Sequence, residues 1–545
     1  MPKLSPRAFT LMWDAHSVTG IVIGLALFVL FATGALLLFR GEIRQWEEPS
    51  LRTSTVAPDS TERRPSLDAL TRPVLDSLSE GEAAPSYVYM TLPDGRHDNL
   101  YMHVSGGVVG GSRNTWIHPR TGAWVANPDE GAVTQTLYYL HFFYQFGRWG
   151  LYLAGLIGLF GLLAVTTGTL VHLHRIVKDF FQFRPGKKLR VAWADAHKVL
   201  GTIGLPFQTM YVFTGAYLGL VGLIALPYAS ILFDGNMATY YQKAGYYAPP
   251  VEVDSAQATT RPQLGHLVAR ADRQWADFAP ETVVATGLGT PTARVEVIGG
   301  LQGAVVGGTG AVVFHGQTGE LLLAESPRSA GALNEAVQSM ELLHFAEFGG
   351  TALKVLFFLL ALASCAVILT GNLTWLEIRD TETRATNRIL ERLTAGVATG
   401  FLPAVALMFL SAQVLPADIA HPDWWIDLIF FGSWAGTVLY ALVGSSIAHT
   451  HRVLLVAGGI LALLIPVANG VATGAWPWVT WATGQWGVLG VDVGAALSGL
   501  AALGLAACID VEAAPSSNNN DPSTDAREPP SSTLQPESVS TASAS

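Results

Sequence analysis

The chain has 545 residues, half of them hydrophobic and only 14% charged, and its formal net charge is −10. Several apolar runs reach the ~20 residues that cross a bilayer as a helix, which is typical of a multi-pass membrane protein. The absence of a basic excess argues against nucleic acid as a partner. The two cysteines, Cys365 and Cys508, lie inside apolar runs, which argues against a disulfide, an iron–sulfur site or a catalytic thiol.

The pattern of apolar and polar segments predicts a mainly α-helical membrane protein. Two repeats, each a helix, an outer module and a helix, form a four-helix core, and a four-helix extension follows. The predicted segments are a first membrane helix (10–42), a first outer α+β module (43–137), a second membrane helix (138–174), a basic cytoplasmic loop (175–192), a third membrane helix (193–228), a second outer α+β module (229–338), a fourth membrane helix (339–376), a cytoplasmic loop (377–395), four further membrane helices (396–510) and a disordered cytoplasmic tail (511–545). Short basic loops face the cytoplasm, so both termini are predicted to be cytoplasmic.

Three short motifs of the first half of the core recur in the second half. Asp-Ala-His ends at His16 and at His197, and Leu-His-Phe contains His141 and His344. A Thr-Gly pair also recurs near the far end of the first and third helices. A repeated ionisable residue at the end of a membrane helix indicates a functional site.

These histidines are expected to form two layers. His141 and His172 are 31 residues apart, about 46 Å of helix, which exceeds the ~30 Å apolar core of a bilayer. The outer layer then contains His141 and His344, and the inner layer contains His16, His172, His174 and His197. Symmetry favours His141 with His344 and His16 with His197, while His172 or His174 is an alternative inner ligand.

Facing imidazoles from different helices suit axial ligation of haem iron, with one haem in each layer. Zinc usually needs three or four clustered ligands, and a proton relay usually includes membrane-embedded carboxylates. The first four helices lack mid-span Asp or Glu. Haem is therefore the favoured cofactor.

The remaining histidines are expected to have ordinary structural roles. His118 and His315 share a hairpin motif and are interpreted as turn residues, with substrate contact as the alternative. His97 and His103 are interpreted as outer-module residues. His449 and His451 are interpreted as residues of a short cytoplasmic loop.

Four motifs in order resemble the PepSY-associated transmembrane family of iron-regulated bacterial inner-membrane proteins. They are TGALLLFRGEIRQWEEP, DFFQFRPGKKLR, DAHKVLGTIGLPF and LLHFAEFGG. The hairpins HPRTGAWV and HGQTGELL are similar to the Asp-x-x-Thr-Gly-Glu turn of PepSY modules, although His118 and Ala123 replace the acidic residues in the first. The resemblance covers about residues 10–380, so the extension lies outside it.

Because the family includes ferric-siderophore reductases, the resemblance implies two periplasmic PepSY-like modules above a core with two b-type haems. His16, His141, His197 and His344 fall on the family's histidine positions. The implied acceptor is a periplasmic ferric siderophore or other ferric chelate, and the electron donor is a separate cytoplasmic or membrane molecule. A non-enzymatic PepSY regulator, an accessory of iron uptake and a transporter are the alternatives.

Overall fold

The structure is a computed structural model that describes residues 4–53, 65–77, 85–93, 98–106, 112–126, 133–184, 189–248, 263–304, 306–346, 348–379, 384–416, 418–444 and 446–509. Within these ranges, eight helices are long and apolar enough to cross a membrane. One antiparallel sheet accompanies them. The prediction of a mainly helical, multi-pass protein with a smaller β-containing part is confirmed. The predicted tail (511–545), residues 185–188 of the basic loop and His97 lie outside the described residues.

The first half of the core runs from a long membrane helix through a small sheet region to a second membrane helix. Its elements are α1 (Pro6–Leu37), α2 (Arg40–Glu47), α3 (Leu67–Ser77), β1 (Tyr87–Thr91), β2 (Leu100–Ser105), β3 (Ser112–Ile117), β4 (Trp124–Ala126), α4 (Val133–His141), α5 (Arg148–His172) and α6 (Ile176–Phe180). Ser5 caps α1, and Pro6 occupies its first position, where a missing N–H costs nothing.

The second half repeats this order. Its elements are α7 (Leu189–Ile203), α8 (Leu205–Leu232), α9 (Met237–Lys243), α10 (Leu264–Asp272), β5 (Phe278–Thr286), β6 (Arg294–Leu301), β7 (Gly310–His315), β8 (Leu321–Glu325), α11 (Ala332–Phe345) and α12 (Gly350–Glu377). The pair α7 and α8 takes the place of the single helix α1. The helix breaks at Gly204 because Pro206 cannot donate a backbone hydrogen bond.

The extension contains four further membrane helices, the first of which includes a π-helical turn. Its elements are α13 (Ala385–Thr394), the π turn Ala395–Thr399, α14 (Gly400–Val414), α15 (Pro422–Val443), α16 (Ile447–Thr473), α17 (Pro477–Ala482) and α18 (Trp486–Ala507). The interpretation of His449 and His451 as loop residues is wrong. Ser446 caps α16 by accepting from the His449 N–H, so the helix starts before the apolar run and includes both.

The strands of the two halves form one eight-stranded sheet, in the order β4-β3-β2-β1-β5-β6-β7-β8. The two halves join where β1 pairs antiparallel with β5, from Tyr87 opposite Thr286 to Thr91 opposite Thr282. The strands of the two predicted outer modules are therefore continuous in one sheet. Each module has an exposed strand edge, and each edge satisfies the backbone groups of the other.

Helices α3 and α10 cover one face of this sheet. Leu70 and Val74 of α3, with Leu267 of α10, pack on alternate strand residues such as Met90 and Val297. In β1 and β2 burial alternates with period 2, whereas β6 and β7 are buried on both faces. Since the sheet follows the ends of α1 and α8 and precedes α5 and α12, we call this end of the bundle the sheet side and the opposite end the far side.

In the bundle, α1 packs against α5 and α12, and α5 packs against α8. Gly155 and Gly219 allow the last contact, because a Cβ on Gly219 would lie 2.4 Å from the Cα of Gly155. Small residues at such crossings let two membrane helices approach closely.

The extension is fixed to the segment that follows α1 by a buried polar network. Trp46 Nε1 donates to Asp492 Oδ1 at 2.8 Å, and Asn469 Nδ2 donates to Asp492 Oδ2 at 2.9 Å. Arg52 donates to Asn469 Oδ1 at 3.1 Å and to Thr473 Oγ1 at 3.1 Å. A buried carboxylate is tolerated only when it is paired in this way, so the network holds α2, α16 and α18 in one arrangement.

Candidate functional site

Four of the predicted histidines meet in two pairs inside the four-helix core. His141 and His344 form the sheet-side pair, with ring centroids 6.2 Å apart. His16 and His197 form the far-side pair, with ring centroids 6.0 Å apart. Each pair takes one histidine from each half of the core, as the repeat predicts.

The sheet-side histidines lie on short helices that precede the membrane helices. His141 is the last residue of α4, and His344 lies in the last turn of α11. Both helices end just before a residue with a left-handed backbone, Phe143 (φ 54°) or Ala346 (φ 57°). The chain then continues into α5 or α12.

Hydrogen bonds orient the rings of the sheet-side pair. His141 Nδ1 lies 3.0 Å from Leu30 O and 3.1 Å from Thr33 Oγ1. His344 Nδ1 lies 2.9 Å from Thr214 Oγ1. The hydroxyls of Thr33 and Thr214 themselves donate to backbone carbonyls one turn earlier, so their oxygens accept from the rings.

The far-side pair has the same arrangement, with backbone carbonyls as acceptors. His16 Nδ1 lies 2.8 Å from Ala164 O of α5. His197 Nδ1 lies 2.8 Å from Val367 O of α12. A carbonyl can only accept, so Nδ1 carries the proton and Nε2 keeps its lone pair. All four histidines are thus set as neutral rings with an available Nε2, as metal-binding histidines generally are.

A Thr-Gly pair occurs once in each of the four core helices, beside one histidine each time. The pairs are Thr33-Gly34 in α1, Thr167-Gly168 in α5, Thr214-Gly215 in α8 and Thr370-Gly371 in α12. The four threonines are buried and donate to carbonyls four residues earlier. The sequence repeat predicts the pairs in the first and third helices, whereas those in α5 and α12 are visible only when the second and fourth helices are compared as well.

The glycines of these pairs make room for the imidazole rings. A Cβ on Gly34 would lie 2.9 Å from His141 Cε1, and one on Gly168 would lie 2.8 Å from His16 Cε1. A Cβ on Gly371 would lie 3.0 Å from His197 Cε1. Gly215 differs, because its Cβ would be at an ordinary 3.6 Å from His344 Cε1.

The spacing within each pair suits one metal atom held from opposite sides. With a metal–nitrogen bond of about 2.0 Å and roughly 1.1 Å from nitrogen to ring centre, two such imidazoles have centroids about 6.2 Å apart. The observed values are 6.0 and 6.2 Å. Clusters of three or more His, Cys, Asp or Glu able to hold a metal are not found among the described residues. The spacing within each pair therefore leaves room for one metal atom between two imidazole nitrogens.

Aromatic side chains border the sheet-side pair. The ring of Tyr211 lies 5.4 Å from that of His344 and packs against Phe207 and Phe357. Its hydroxyl is buried and has no hydrogen-bond partner among the described residues. An orphaned buried hydroxyl beside the two histidines is consistent with a space that a bound group fills.

Along α1, the two pairs are well separated. The sheet-side pair lies level with Leu30 and Gly34, about 16 residues beyond His16. At 1.5 Å per residue, the pairs are about 24 Å apart, most of the thickness of a bilayer core.

The other two candidate ligands do not join either pair. His172 Nδ1 lies 3.4 Å from Asp179 Oδ2 of α6, and the side chain is 30% exposed. His174 is exposed beyond the end of α5. His172 thus pairs with Asp179, outside both ring pairs.

His118 and His315 serve as turn residues. Nδ1 of His118 accepts from the N–H groups of Arg120 and Thr121, and its Nε2 lies 3.1 Å from Arg52 O. Nδ1 of His315 accepts in the same way from the N–H groups two and three residues later. In this turn, histidine replaces the aspartate that usually accepts these bonds.

Glu47 fixes the N-terminus of α4, the helix that carries His141. Its carboxylate accepts from the N–H groups of Val133 and Thr134 and from the Thr134 hydroxyl. Burial raises the pKa of Glu47 to about 7, although these bonds and the Arg44 charge act in the opposite direction. The position of the sheet-side pair thus depends on a carboxyl that titrates near neutral pH.

Comparison with known proteins gives one family. The profile of the PepSY-associated TM region matches residues 13–377. An uncharacterized protein of Pseudomonas aeruginosa is 28% identical over 318 residues, which cover 56% of this chain and 79% of the relative. The family match contains both histidine pairs and ends at the last residue of α12, so the extension lies outside it.

Proposed function

Because the chain belongs to the PepSY-associated transmembrane family, we propose that it is an inner-membrane b-type cytochrome that holds two haems. His141 and His344 ligate one, and His16 and His197 ligate the other. The protein passes electrons from the cytoplasmic side to a periplasmic acceptor, a ferric siderophore or similar ferric chelate. The sheet side is periplasmic and both termini are cytoplasmic.

The observation that carries this proposal is the matched geometry of the two pairs. Four neutral rings have Nδ1 hydrogen-bonded away from the partner ring, and their centroids lie 6.0 and 6.2 Å apart. Bis-histidine ligation needs this tautomer and this spacing. The two layers cover most of the membrane thickness, as electron transfer across a bilayer requires.

When bound, haem supplies one-electron redox chemistry, and the protein's residues set the conditions for it. Thr33, Thr214 and the carbonyls of Ala164 and Val367 orient the ligand rings and raise their basicity. Phe207, Tyr211 and Phe357 exclude water beside the sheet-side pair.

Each electron that reaches the sheet side converts one ferric ion of the chelate to ferrous ion. Ferrous ion is held less tightly by hard oxygen ligands such as hydroxamates and catecholates, so the metal is released. The sheet forms the surface nearest to this exit. On the face opposite α3 and α10, the first-half strands carry the half-buried rings of Tyr87, Tyr89, Tyr101 and Trp116, and Arg44 lies 3.9 Å from the centre of the Trp116 ring.

The orientation is supported by charge. On the far side, Arg175 precedes α6, Lys178 lies in α6 and Arg190 lies in α7. Arg184 pairs with the buried Asp195. Basic residues in short loops stay on the cytoplasmic side.

The test is haem content. Protein purified with haem available should show a Soret band and two haems per chain. His141→Ala and His344→Ala should each leave one haem and abolish reduction of an external ferric hydroxamate, measured as trapped ferrous ion in proteoliposomes. His174→Ala is the control, since that exposed ring faces neither pair and should leave both haems in place. A colourless preparation would refute the proposal and favour a PepSY regulator, an accessory of iron uptake or a transporter.

A further inference from the structure

Arg40 is a cation without an acidic partner at the sheet-side end of the core. It begins α2, three residues after Leu37, the last residue of the membrane helix α1. Its side chain is half-buried, and its Nε atom is buried with no hydrogen-bond partner among the described residues. It forms no ion pair with a described residue. Because a guanidinium stays charged at physiological pH, a buried edge of this kind costs free energy unless an anion binds to it.

The acidic residues that follow Arg40 in the chain have other partners. Glu42 Oε1 lies 2.9 Å from Lys354 Nζ of α12. The carboxylate of Glu47 accepts from the first N–H groups of α4. The hydrogen bond from Arg40 Nη2 to Gln135 Oε1 is 3.5 Å long and therefore weak. The charge of Arg40 is thus not neutralised within the described part of the chain.

Tyr138 holds the guanidinium of Arg40 beside α4, the helix that carries His141. The Arg40 Cζ atom lies over the Tyr138 ring, 4.2 Å from its centre. Such a cation–π contact positions the guanidinium without using its N–H groups. The N–H groups at its edge therefore remain available for a planar acceptor, and a carboxylate can accept from two of them at once.

Two relationships along the chain place Arg40 at the margin of the sheet-side pair. Tyr138 lies three residues before His141 on α4, so their side chains are neighbours on the helix surface. Gly34, whose Cβ would lie 2.9 Å from His141 Cε1, precedes Arg40 by six residues. At 1.5 Å per residue, Arg40 is about 9 Å farther toward the sheet. The unpaired guanidinium therefore borders the site on the side of the sheet.

We propose that Arg40 binds a carboxylate and that this carboxylate is a propionate of the sheet-side haem, an inference that rests on the proposed function. Haem b has two propionates on one edge of an otherwise apolar ring. Inside a bundle of apolar helices, an ionised carboxylate needs a cation or several hydrogen-bond donors. Arg40 supplies both, and its own buried edge gains the anion that the described residues do not provide.

Arg40 thereby fixes what the two histidines leave free. Two axial bonds hold an iron atom between His141 and His344 but allow the ring to turn about the line that joins them. A pair between Arg40 and a propionate removes this freedom and keeps the carboxylate edge on the side of the sheet. The positive charge of Arg40 also stabilises the ferrous state relative to the ferric state, because the ferric state has one more positive charge.

The experiment compares haem with haem dimethyl ester, in which both propionates are uncharged. The parent is the full chain with His197→Ala, which retains only the sheet-side site, and the apoprotein is titrated with each porphyrin. Arg40→Gln should weaken haem binding about 10- to 100-fold, as expected for a lost charge-assisted hydrogen bond, and should leave binding of the dimethyl ester unchanged. Arg40→Lys should restore part of the affinity for haem. Arg72→Gln, at an exposed position of α3, is the matched control and should bind both porphyrins like the parent.

A redox titration adds a measurement that a loss of stability would not move. At pH 8 a released propionate stays ionised, so loss of the Arg40 charge favours the ferric state. The midpoint potential of the haem-saturated Arg40→Gln variant should therefore fall, and that of Arg40→Lys should return toward the parent value. An unchanged potential in Arg40→Gln would contradict the assignment.

The possible results separate this inference from the proposed function. Equal losses of haem and of the dimethyl ester would show that Arg40 only holds the helices together, and no loss of either would show that it binds another anion, such as a lipid phosphate. Unchanged haem binding with slower reduction of ferric citrate would assign the carboxylate to the acceptor. Each of these results overturns the inference and leaves the cytochrome intact. A parent chain that takes up neither porphyrin would refute the cytochrome and this inference with it.

Discussion

The glycine beside His141 offers a sharp test of how the sheet-side site is built. Gly34 and Gly215 are repeat-related, and each faces one ring of the same pair. A Cβ on Gly34 would lie 2.9 Å from His141 Cε1, whereas one on Gly215 would lie 3.6 Å from His344 Cε1. Ordinary carbon contacts start near 3.4 Å, so Gly34→Ala must displace the ring by about half an ångström and Gly215→Ala need not.

The ring of His141 cannot move without weakening its hydrogen bonds. Its Nδ1 is held by Leu30 O and Thr33 Oγ1, so a shift stretches both bonds and moves Nε2 away from the axis shared with His344. Overpacking of this kind costs about 1–3 kcal/mol, which corresponds to roughly 5- to 150-fold in affinity. Any general gain in helix propensity from Gly to Ala is the same in both variants and cancels in the comparison.

The assay is haem titration of purified apoprotein, followed by absorbance and by haem-to-protein ratio. Gly34→Ala should lose affinity at one of two sites, and Gly215→Ala should bind like the wild type. Equal losses in the two variants, or none in Gly34→Ala, would show that the ring positions do not control the site.

Three further outcomes are expected. Thr214→Val should weaken haem binding at the sheet-side site by about 10- to 100-fold, and by more than Thr33→Val does. The reason is that His141 keeps its hydrogen bond to Leu30 O in Thr33→Val, whereas His344 loses its Thr214 partner. Haem titration of the two variants measures this difference, and equal effects would contradict it. The pKa of Glu47 is about 7 in the folded protein, whereas the carboxyl ionises near pH 4.5 in the unfolded chain. The protonated group therefore contributes its full stabilisation below pH 4.5. That contribution, up to about 3 kcal/mol of unfolding free energy, is lost as the pH rises to 7. Thermal unfolding of Glu47→Gln should therefore lack most of the wild-type decline between pH 5 and 8, and parallel curves would disprove this role. Periplasmic reporters fused after Ser66 should be active and those after Arg190 inactive, and the reverse pattern would invert the orientation.

Much of the site could be predicted from sequence because the chain repeats its own motifs. The repeat at His16 and His197 predicts a facing pair, and the structure brings these rings together. The sequence left His172 open as a ligand because it lies at the same depth. What distinguishes it from His16 is its contact with Asp179 on α6, and this contact depends on a bend after α5 that no periodicity encodes.

The sheet was harder to predict for a similar reason. Hydrophobic alternation identifies strands and their buried faces but not the partner of an edge. The pairing of Tyr87–Thr91 with Thr282–Thr286 joins residues almost 200 positions apart. The packing of the extension against α2 could not be predicted either. In the sequence Asp492 is an isolated charge, and only the structure places Trp46 and Asn469 beside it.

The strands of the two halves follow each other outward from the β1–β5 contact in the same order. This symmetry bears on how the protein arose and on whether one half could be studied alone. A contact in which β1 meets β5 antiparallel has the form of an isologous interface between two copies of one half. Each histidine pair likewise takes one ring from each half. A chain cut after α6 would therefore expose the β1 edge and contain no complete pair, and it could regain both features only by pairing with a second half. The duplicated chain makes permanent, within one polypeptide, what a symmetric dimer would have to assemble from two.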